Sequence, residues 1–318
     1  MTWLLTGGAG FIGAHIVRAF QRAGLPVVVL DDLSTGIREN VPDDVPLVEA
    51  SVTDGEAVGK AIQEHDVDAV LHLAAKKAVG ESVENPLLYW RENVGGMQSL
   101  LATCVDSGVR RVLFSSSAAV YGTPPDDLVT EQTPTSPMSP YGATKLVGEW
   151  MLRDAGVAHG LRWIALRYFN VAGTGAPELA DRSVTNLVPL TLQALSEGRN
   201  PQLFGDDYDT RDGSCIRDYI HVIDVAEAHV AAARRLEQAE AADLYNVGRG
   251  EGVTVKEVFE AVRRVTGTDF VYDVAGRRPG DPAAYFATPD RIAADLGWSA
   301  RLDLDAMVQS AWDAWPSR

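Results

Sequence analysis

Cysteine is almost absent from this chain of 318 residues: Cys104 and Cys215 stand far apart and without metal-ligand spacing. Two buried, reduced thiols are the expectation. Basic residues are scarce, 28 against 44 acidic ones for a formal net charge of −16. That disfavours nucleic acid and anionic membrane surfaces as partners. An anionic small ligand would need arginines gathered in one place. No apolar run approaches the ~20 residues needed to span a bilayer, and no secretory segment precedes the first expected strand at residue 2. A cytoplasmic protein is therefore expected. The chain has no internal repeat, no low-complexity tract and no Gly-x-Ser-x-Gly nucleophile elbow. Its six histidines are scattered, so no metal is expected; His72 and His221, set in apolar runs, read as core residues.

What is present is alternation. Strands are expected at 2–6, 27–31, 46–49, 68–73, 111–115 and 162–168, and helices at 11–23, 55–64, 86–107 and 140–158. Strand and helix in turn predict an α/β fold, a doubly wound parallel sheet of Rossmann type. Runs such as Ala69-Val70-Leu71-His72-Leu73 suit strands covered on both faces. After Asn170, Gly, Pro, Asp and Asn cluster at 172–186, 197–213 and 275–290. We expect a first unit over 1–170 and a smaller C-terminal substrate-binding region over 171–318, with about 216–236 returning to the first unit.

Two motifs carry chemistry. The first is Leu4-Leu5-Thr6-Gly7-Gly8-Ala9-Gly10-Phe11-Ile12-Gly13, an apolar run, a glycine turn and an amphipathic stretch. That order is the context of a dinucleotide fingerprint, with the pyrophosphate at a helix N-terminus. The next apolar run ends at Asp31, where a carboxylate accepts from a ribose 2′-OH and repels a 2′-phosphate, so NAD is favoured over NADP. The second is Tyr141 with Lys145, four residues apart and so on one helical face. A free tyrosine loses its proton near pH ~10; a neighbouring ammonium is expected to lower that value and let the pair move a proton at neutral pH. The serine run Ser115-Ser116-Ser117 follows the strand ending at Phe114, where ligands of open parallel sheets bind.

These residues resemble the extended short-chain dehydrogenase/reductase family, and within it the UDP-glucose (UDP-galactose) 4-epimerases. The resemblance runs from Thr6 to about Trp315. Beyond the two motifs, it rests on Lys77-Ala78-Val79-Gly80-Glu81-Ser82-Val83, Ser115-Ser116-Ser117-Ala118-Ala119-Val120-Tyr121-Gly122 and Arg167-Tyr168-Phe169-Asn170. It also rests on Ile216-Arg217-Asp218-Tyr219-Ile220-His221-Val222 and Arg277-Arg278-Pro279-Gly280-Asp281. It implies an NAD-dependent isomerase that inverts C4 of a UDP-hexose through a 4-keto sugar, and commonly a homodimer.

By the same resemblance, Ser117, Tyr141 and Lys145 are catalytic. Gly7, Gly10, Phe11, Ile12, Gly13, Asp31, Asp32, Lys77, Asn93, Tyr141, Lys145 and Tyr168 hold the cofactor. Ser117, Asn170, Asn186, Arg217, Arg278, Asp281 and Tyr285 hold the UDP-sugar, with Tyr285 gating the sugar's C2 substituent. Two departures stand out. Ser51, with Asp54 nearby, occupies the place where relatives often carry an adenine-contacting aspartate, and Ala119 stands where they commonly have threonine. An epimerase of another NDP-sugar, whether N-acetylhexosamine or pentose, stays open, as does an NAD-sensing binding protein. The latter would be free to lose Tyr141 or Lys145. A dehydratase would need an acid/base pair that Ser116 and Ala118 cannot supply.

The dimer expectation also rests on the sequence. The stretches 88–106 and 141–154 carry apolar residues on more than one face, among them Met97, Leu100, Leu101, Val147, Trp150 and Met151. A second face could pair with its copy in a four-helix bundle.

Overall fold

A computed structural model describes residues 1–238, 241–278 and 281–315. Seven parallel strands form the main sheet. The first five in the chain are β1 (Thr2–Thr6), β2 (Val27–Asp31), β3 (Leu47–Glu49), β4 (Val67–His72) and β5 (Arg111–Ser117). The spatial order is β3-β2-β1-β4-β5, continued by Arg162–Tyr168 and then Ala242–Val247 at the far edge. The direction of winding reverses between β1 and β4, and the crevice outside the carboxyl ends of strands at such a switch point is where α/β sheets bind ligands.

The core follows from composition. β2 is Val-Val-Val-Leu-Asp and all five residues are buried, as a strand covered by helices on both faces must be. On one side α1 (Phe11–Arg22) and the helix Val222–Gln238 pack together, with Trp3, Phe20, Leu71 and Tyr245 in the same cluster. On the other side α2 (Gly55–Glu64) joins the long helical run 86–106, which passes through a π-helical stretch over Trp90–Gly95.

A second sheet lies C-terminal, in the order Gly252–Thr254, Ile216–His221, Ala284–Ala287, Leu128–Val129, with Asn170–Ala172 also pairing with Ile216–His221. Of the stretch 216–236, the helix Val222–Gln238 packs against α1. The strand of that stretch pairs in this second sheet, and Ala242–Val247 is what completes the main one. Among the described residues, no helix is long and apolar enough to cross a membrane.

Candidate active site

At the nucleotide end, β1 runs into a turn at Gly7 with φ of 77°. A Cβ there would lie 2.7 Å from Ala74 N, and one on Gly13 would lie 2.2 Å from Gly7 O. Only glycine lets the turn and α1 close on each other. Gly10 caps α1 with no side-chain hydrogen bond and no acid in the first turn. The positive end of the helix, at Phe11 and Ile12, is therefore left uncapped by any side chain, as a bound diphosphate requires.

Asp31 closes β2. Its Oδ2 accepts from Ala9 N (2.9 Å) and its Oδ1 from Leu33 N (2.9 Å). Burial raises its pKa while these bonds oppose the rise. Exposed Asp32 accepts from Ser34 N (2.9 Å). At the expected adenine end, Ser51 Oγ lies 2.8 Å from Thr53 Oγ1 and Asp54 caps α2 through Ala57 N.

Beyond β4, Asn93 in the π-helical stretch accepts from Lys76 N (2.8 Å) and donates to Lys76 O and Thr144 Oγ1, both at 3.0 Å. A π turn frequently marks a functional position; this one joins the loop after β4 to the helix of Tyr141. Lys77 Nζ donates to Ser183 Oγ at 3.3 Å. That contact brings Lys77 to the loop of Asn186, whose Nδ2 donates to Asp181 Oδ2 at 3.1 Å.

The helix Pro140–His159 starts on a cap: Ser139 Oγ accepts from Gly142 N at 3.1 Å and proline follows. Tyr141 and Lys145 are 8% and 4% exposed. The three serines of β5 are used differently. Lys145 Nζ donates to the Ser115 carbonyl at 2.7 Å. The Ser115 hydroxyl meets His229 Nε2 at 3.0 Å, while His229 Nδ1 donates to Val225 O, so Nε2 is the acceptor. Ser116 Oγ donates to Glu149 Oε1 at 2.5 Å on the opposite face. Ser117 Oγ accepts from Ala119 N at 3.2 Å and hydrogen-bonds Tyr141.

The electrostatics correct one expectation. Burial raises the Tyr141 hydroxyl above an ordinary phenol, and what opposes the rise is the Ser117 hydrogen bond, not Lys145. The ammonium is turned to the Ser115 carbonyl, 5.0 Å from the Phe114 ring centroid. Burial pulls it down to about 7, with Glu149 opposing. Lys145 therefore changes charge near neutral pH itself. Tyr168 is raised by burial and by Tyr141, against a hydrogen bond with Ser115.

On the far side of the crevice, Arg217 Nη2 lies 3.3 Å from Asp281 Oδ1, and the guanidinium lies 5.2 Å from the centroid of the Tyr285 ring. That ring is 5.6 Å from Phe169 and its field reaches Tyr141, which joins the catalytic and substrate groups. Apart from that ion pair Arg217 Nη2 makes no hydrogen bond, and Tyr208 Oη is buried without a hydrogen-bond partner. Tyr208 had no motif to reveal it. Exposed Arg278 stacks on Phe204 at 3.9 Å; Pro279 and Gly280 of its motif lie outside the described residues. Asn170 Nδ2 donates to the Asp218 carbonyl at 2.9 Å. The Asp218 carboxylate, fully buried, accepts from Arg249 N, Gly250 N and Ala287 N at 2.9–3.1 Å. Among the described residues, no three His, Cys, Asp or Glu side chains converge as metal ligands.

Residues 3–248 match the model of the NAD dependent epimerase/dehydratase family. The UDP-glucose 4-epimerase of Azospirillum brasilense is 48% identical over 314 residues, 97% of this chain and 90% of that protein. Among solved structures, the UDP-glucose 4-epimerase from Brucella ovis in complex with NAD superposes with a TM-score of 0.93 at 41% identity, covering 98% of this chain and 97% of that one. The enzyme from Stenotrophomonas maltophila with bound NAD and formylated UDP-arabinopyranose gives 0.94 at 39% identity, covering 99% and 97%.

Proposed function

The chain belongs to the NAD dependent epimerase/dehydratase family, and from that premise we propose which residues carry its reaction, the reversible C4 epimerisation of a UDP-hexose. The observation behind the assignment is the meeting of Ser117, Tyr141 and Lys145 at the carboxyl end of β5, opposite Arg217 and Tyr285. Gly7, Gly10, Phe11, Ile12, Gly13, Asp31, Asp32, Lys77, Asn93 and Tyr168, with Tyr141 and Lys145, would hold NAD, which would supply a hydride acceptor restored each cycle. Tyr141 takes the 4-OH proton, Ser117 holds the same oxygen, and Lys145 holds the charge balance of the pair. Arg217, Arg278 and Asn186 hold the diphosphate, Asp281 the uridine ribose and Asn170 the sugar nucleotide. The 4-keto sugar turns about that anchored diphosphate, presents its other face, and Tyr141 returns the proton. A coupled assay with UDP-galactose, UDP-N-acetylgalactosamine and UDP-arabinose tests the reading; turnover of none of them overturns it.

Among these substrates the unacetylated hexoses are preferred. Tyr285, wedged between Phe169 and Arg217, fills the room a C2 acyl group would need. Forcing extra atoms into packed space costs ~1–3 kcal/mol, a bias of roughly tenfold to hundredfold. Tyr285→Cys should raise the relative rate on UDP-N-acetylgalactosamine. An unchanged ratio, or equal wild-type rates on both sugars, would remove Tyr285 as the gate.

The working unit is a homodimer. Val83, Leu87 and Trp90 are 63%, 80% and 38% exposed, and Trp150 and Val157 are 47% and 87% exposed. Trp150 and Val157, seven residues apart, share one stripe of the helix Pro140–His159. Val83 lies on the short helix Val79–Glu84, and Leu87 and Trp90 follow beyond its non-helical cap at Asn85. Exposed apolar side chains on both stretches suit a four-helix seam between copies. Met97, Leu100 and Leu101, expected in that seam, are buried within the chain; Val147 and Met151 are half-buried beside it. Light scattering should give about twice the 34.2 kDa chain mass. Leu87→Glu with Trp150→Glu should halve the particle. A wild-type particle of 34.2 kDa at micromolar concentration would end the idea. Cys104 and Cys215, both free and buried, suit the reducing cytoplasm, where we place the enzyme.

A further inference from the structure

One buried polar cluster contains none of the residues expected to hold a ligand. Glu149 and Arg167 are 5% and 3% exposed. Their bond is two-pronged: Arg167 Nε to Glu149 Oε1 at 2.8 Å and Nη2 to Oε2 at 2.6 Å. Glu149 also accepts from Ser116 Oγ. Arg167 Nη1 donates to Tyr121 Oη at 2.9 Å, which donates to Asn246 Oδ1 at 2.7 Å. Asn246 Nδ2 donates on to Val129 O, and its own N–H to Glu131 Oε1. Every charge in the cluster is satisfied.

The positions of these residues matter more than the strength of their bonds. Glu149 lies one helical turn beyond Lys145 and two beyond Tyr141. Ser116 precedes Ser117 on β5, and Arg167 precedes Tyr168 on the next strand, where Ser116 and Arg167 are cross-strand partners. Glu149 thus ties the helix of Tyr141 and Lys145 by a fork of fixed geometry to the strand that ends at Tyr168, and by the Ser116 hydroxyl to β5, which ends at Ser117. We propose that Glu149 and Arg167 are positioning residues: their bidentate pair sets the register of the Tyr141 helix against the strands of Ser117 and Tyr168. This rests on the assignment of Tyr141 as the proton carrier.

The test must separate placement from stability. Removing one partner leaves a buried charge unpaired, and the single variant may simply fail to fold. Replacing both by apolar residues of similar size commonly leaves a fold intact or firmer. The comparison is therefore wild type, Glu149→Gln, and the double variant Glu149→Leu with Arg167→Met, each checked for thermal unfolding. With the double variant folded, kcat should fall by about 10²-fold, the loss expected of an ~1 Å misplacement, and KM should change less than about threefold. Glu149→Gln keeps the side-chain shape and should fall between the two.

A second readout needs no turnover. The Tyr141 phenolate is titrated by ultraviolet difference against Tyr141→Phe in each background, and its midpoint should move in the double variant. The titratable or charged groups facing this junction are Tyr89, Tyr121, Lys145, Tyr168, Glu131, His72 and Tyr285, all retained. A folded double variant with wild-type kcat and an unmoved midpoint overturns the proposal while leaving the Tyr141 assignment standing. Full activity in Tyr141→Phe overturns the assignment itself, and the proposal with it.

Discussion

Replacing Tyr141 by phenylalanine should cut turnover by about 10²–10⁴-fold, the usual worth of a general acid–base group, while NAD and UDP binding persist. The side chain is 8% exposed, and the substitution removes one oxygen while leaving the ring in place. What is lost is the hydrogen bond to Ser117 and the atom proposed to take the 4-OH proton. Nothing in the pyrophosphate turn or around Arg217 changes. Binding followed by fluorescence or calorimetry, beside the coupled rate assay, separates the two effects. A variant with near-normal turnover would refute the assigned chemistry.

Acid should destabilise the fold between pH 7 and 5. Four histidines are buried and held neutral. Burial is the first cause in each, taking His15, His221 and His229 down to about 4 and His72 to about 3. The unfolded chain binds these protons near pH 6.5, the folded one only near 4 or below. Stability is thus full above 6.5 and drains as pH falls toward 4, at up to ~1.4 kcal/mol per unit for each histidine. Asp218 works the other way: burial raises it to about 6, so the folded state gains its proton first on acidification. Asp31 and Asp224, also raised by burial, oppose the loss in the same way; the four histidines still leave a net loss on the order of 5 kcal/mol between pH 7 and 5. That is a large part of a typical stability and equals a fall in Tm of roughly 5–10 °C. Thermal scans at fixed rate from pH 7 to 5 check it; a Tm that is flat or rises would show that the histidines are hydrated.

The parts of the fold legible in the sequence are those with long periodic signals. β1, β2, the helix at 140–159 and the glycine turn each announce themselves through an apolar run, a proline after a cap, or a positive-φ glycine. The second sheet was hidden because its strands are two to six residues long, too short to show alternation. Ala242–Val247 was missed because Ala-Asp-Leu-Tyr-Asn-Val mixes polar and apolar residues at a sheet edge. Of the site, the residue types were readable and their partners were not. Glu149 follows Lys145 at the spacing of an ordinary exposed helix pair, and only the folded chain turns it to Arg167. The lowering of Tyr141 by Lys145 was inferred from spacing alone; burial and a backbone carbonyl redirected the ammonium.

The Asp218 carboxylate has a consequence for modularity. It gathers N–H groups from residues 249, 250 and 287, all downstream of residue 248, where the family match ends. The matched segment is therefore not a detachable module. A chain truncated there would carry a sealed carboxylate stripped of its three donors, inside the strand that bears Arg217. Residues 249, 250 and 287 thus complete the strand that bears Arg217, and insertions or fusions are best tolerated elsewhere, at exposed turns such as Gly24 or Gly108.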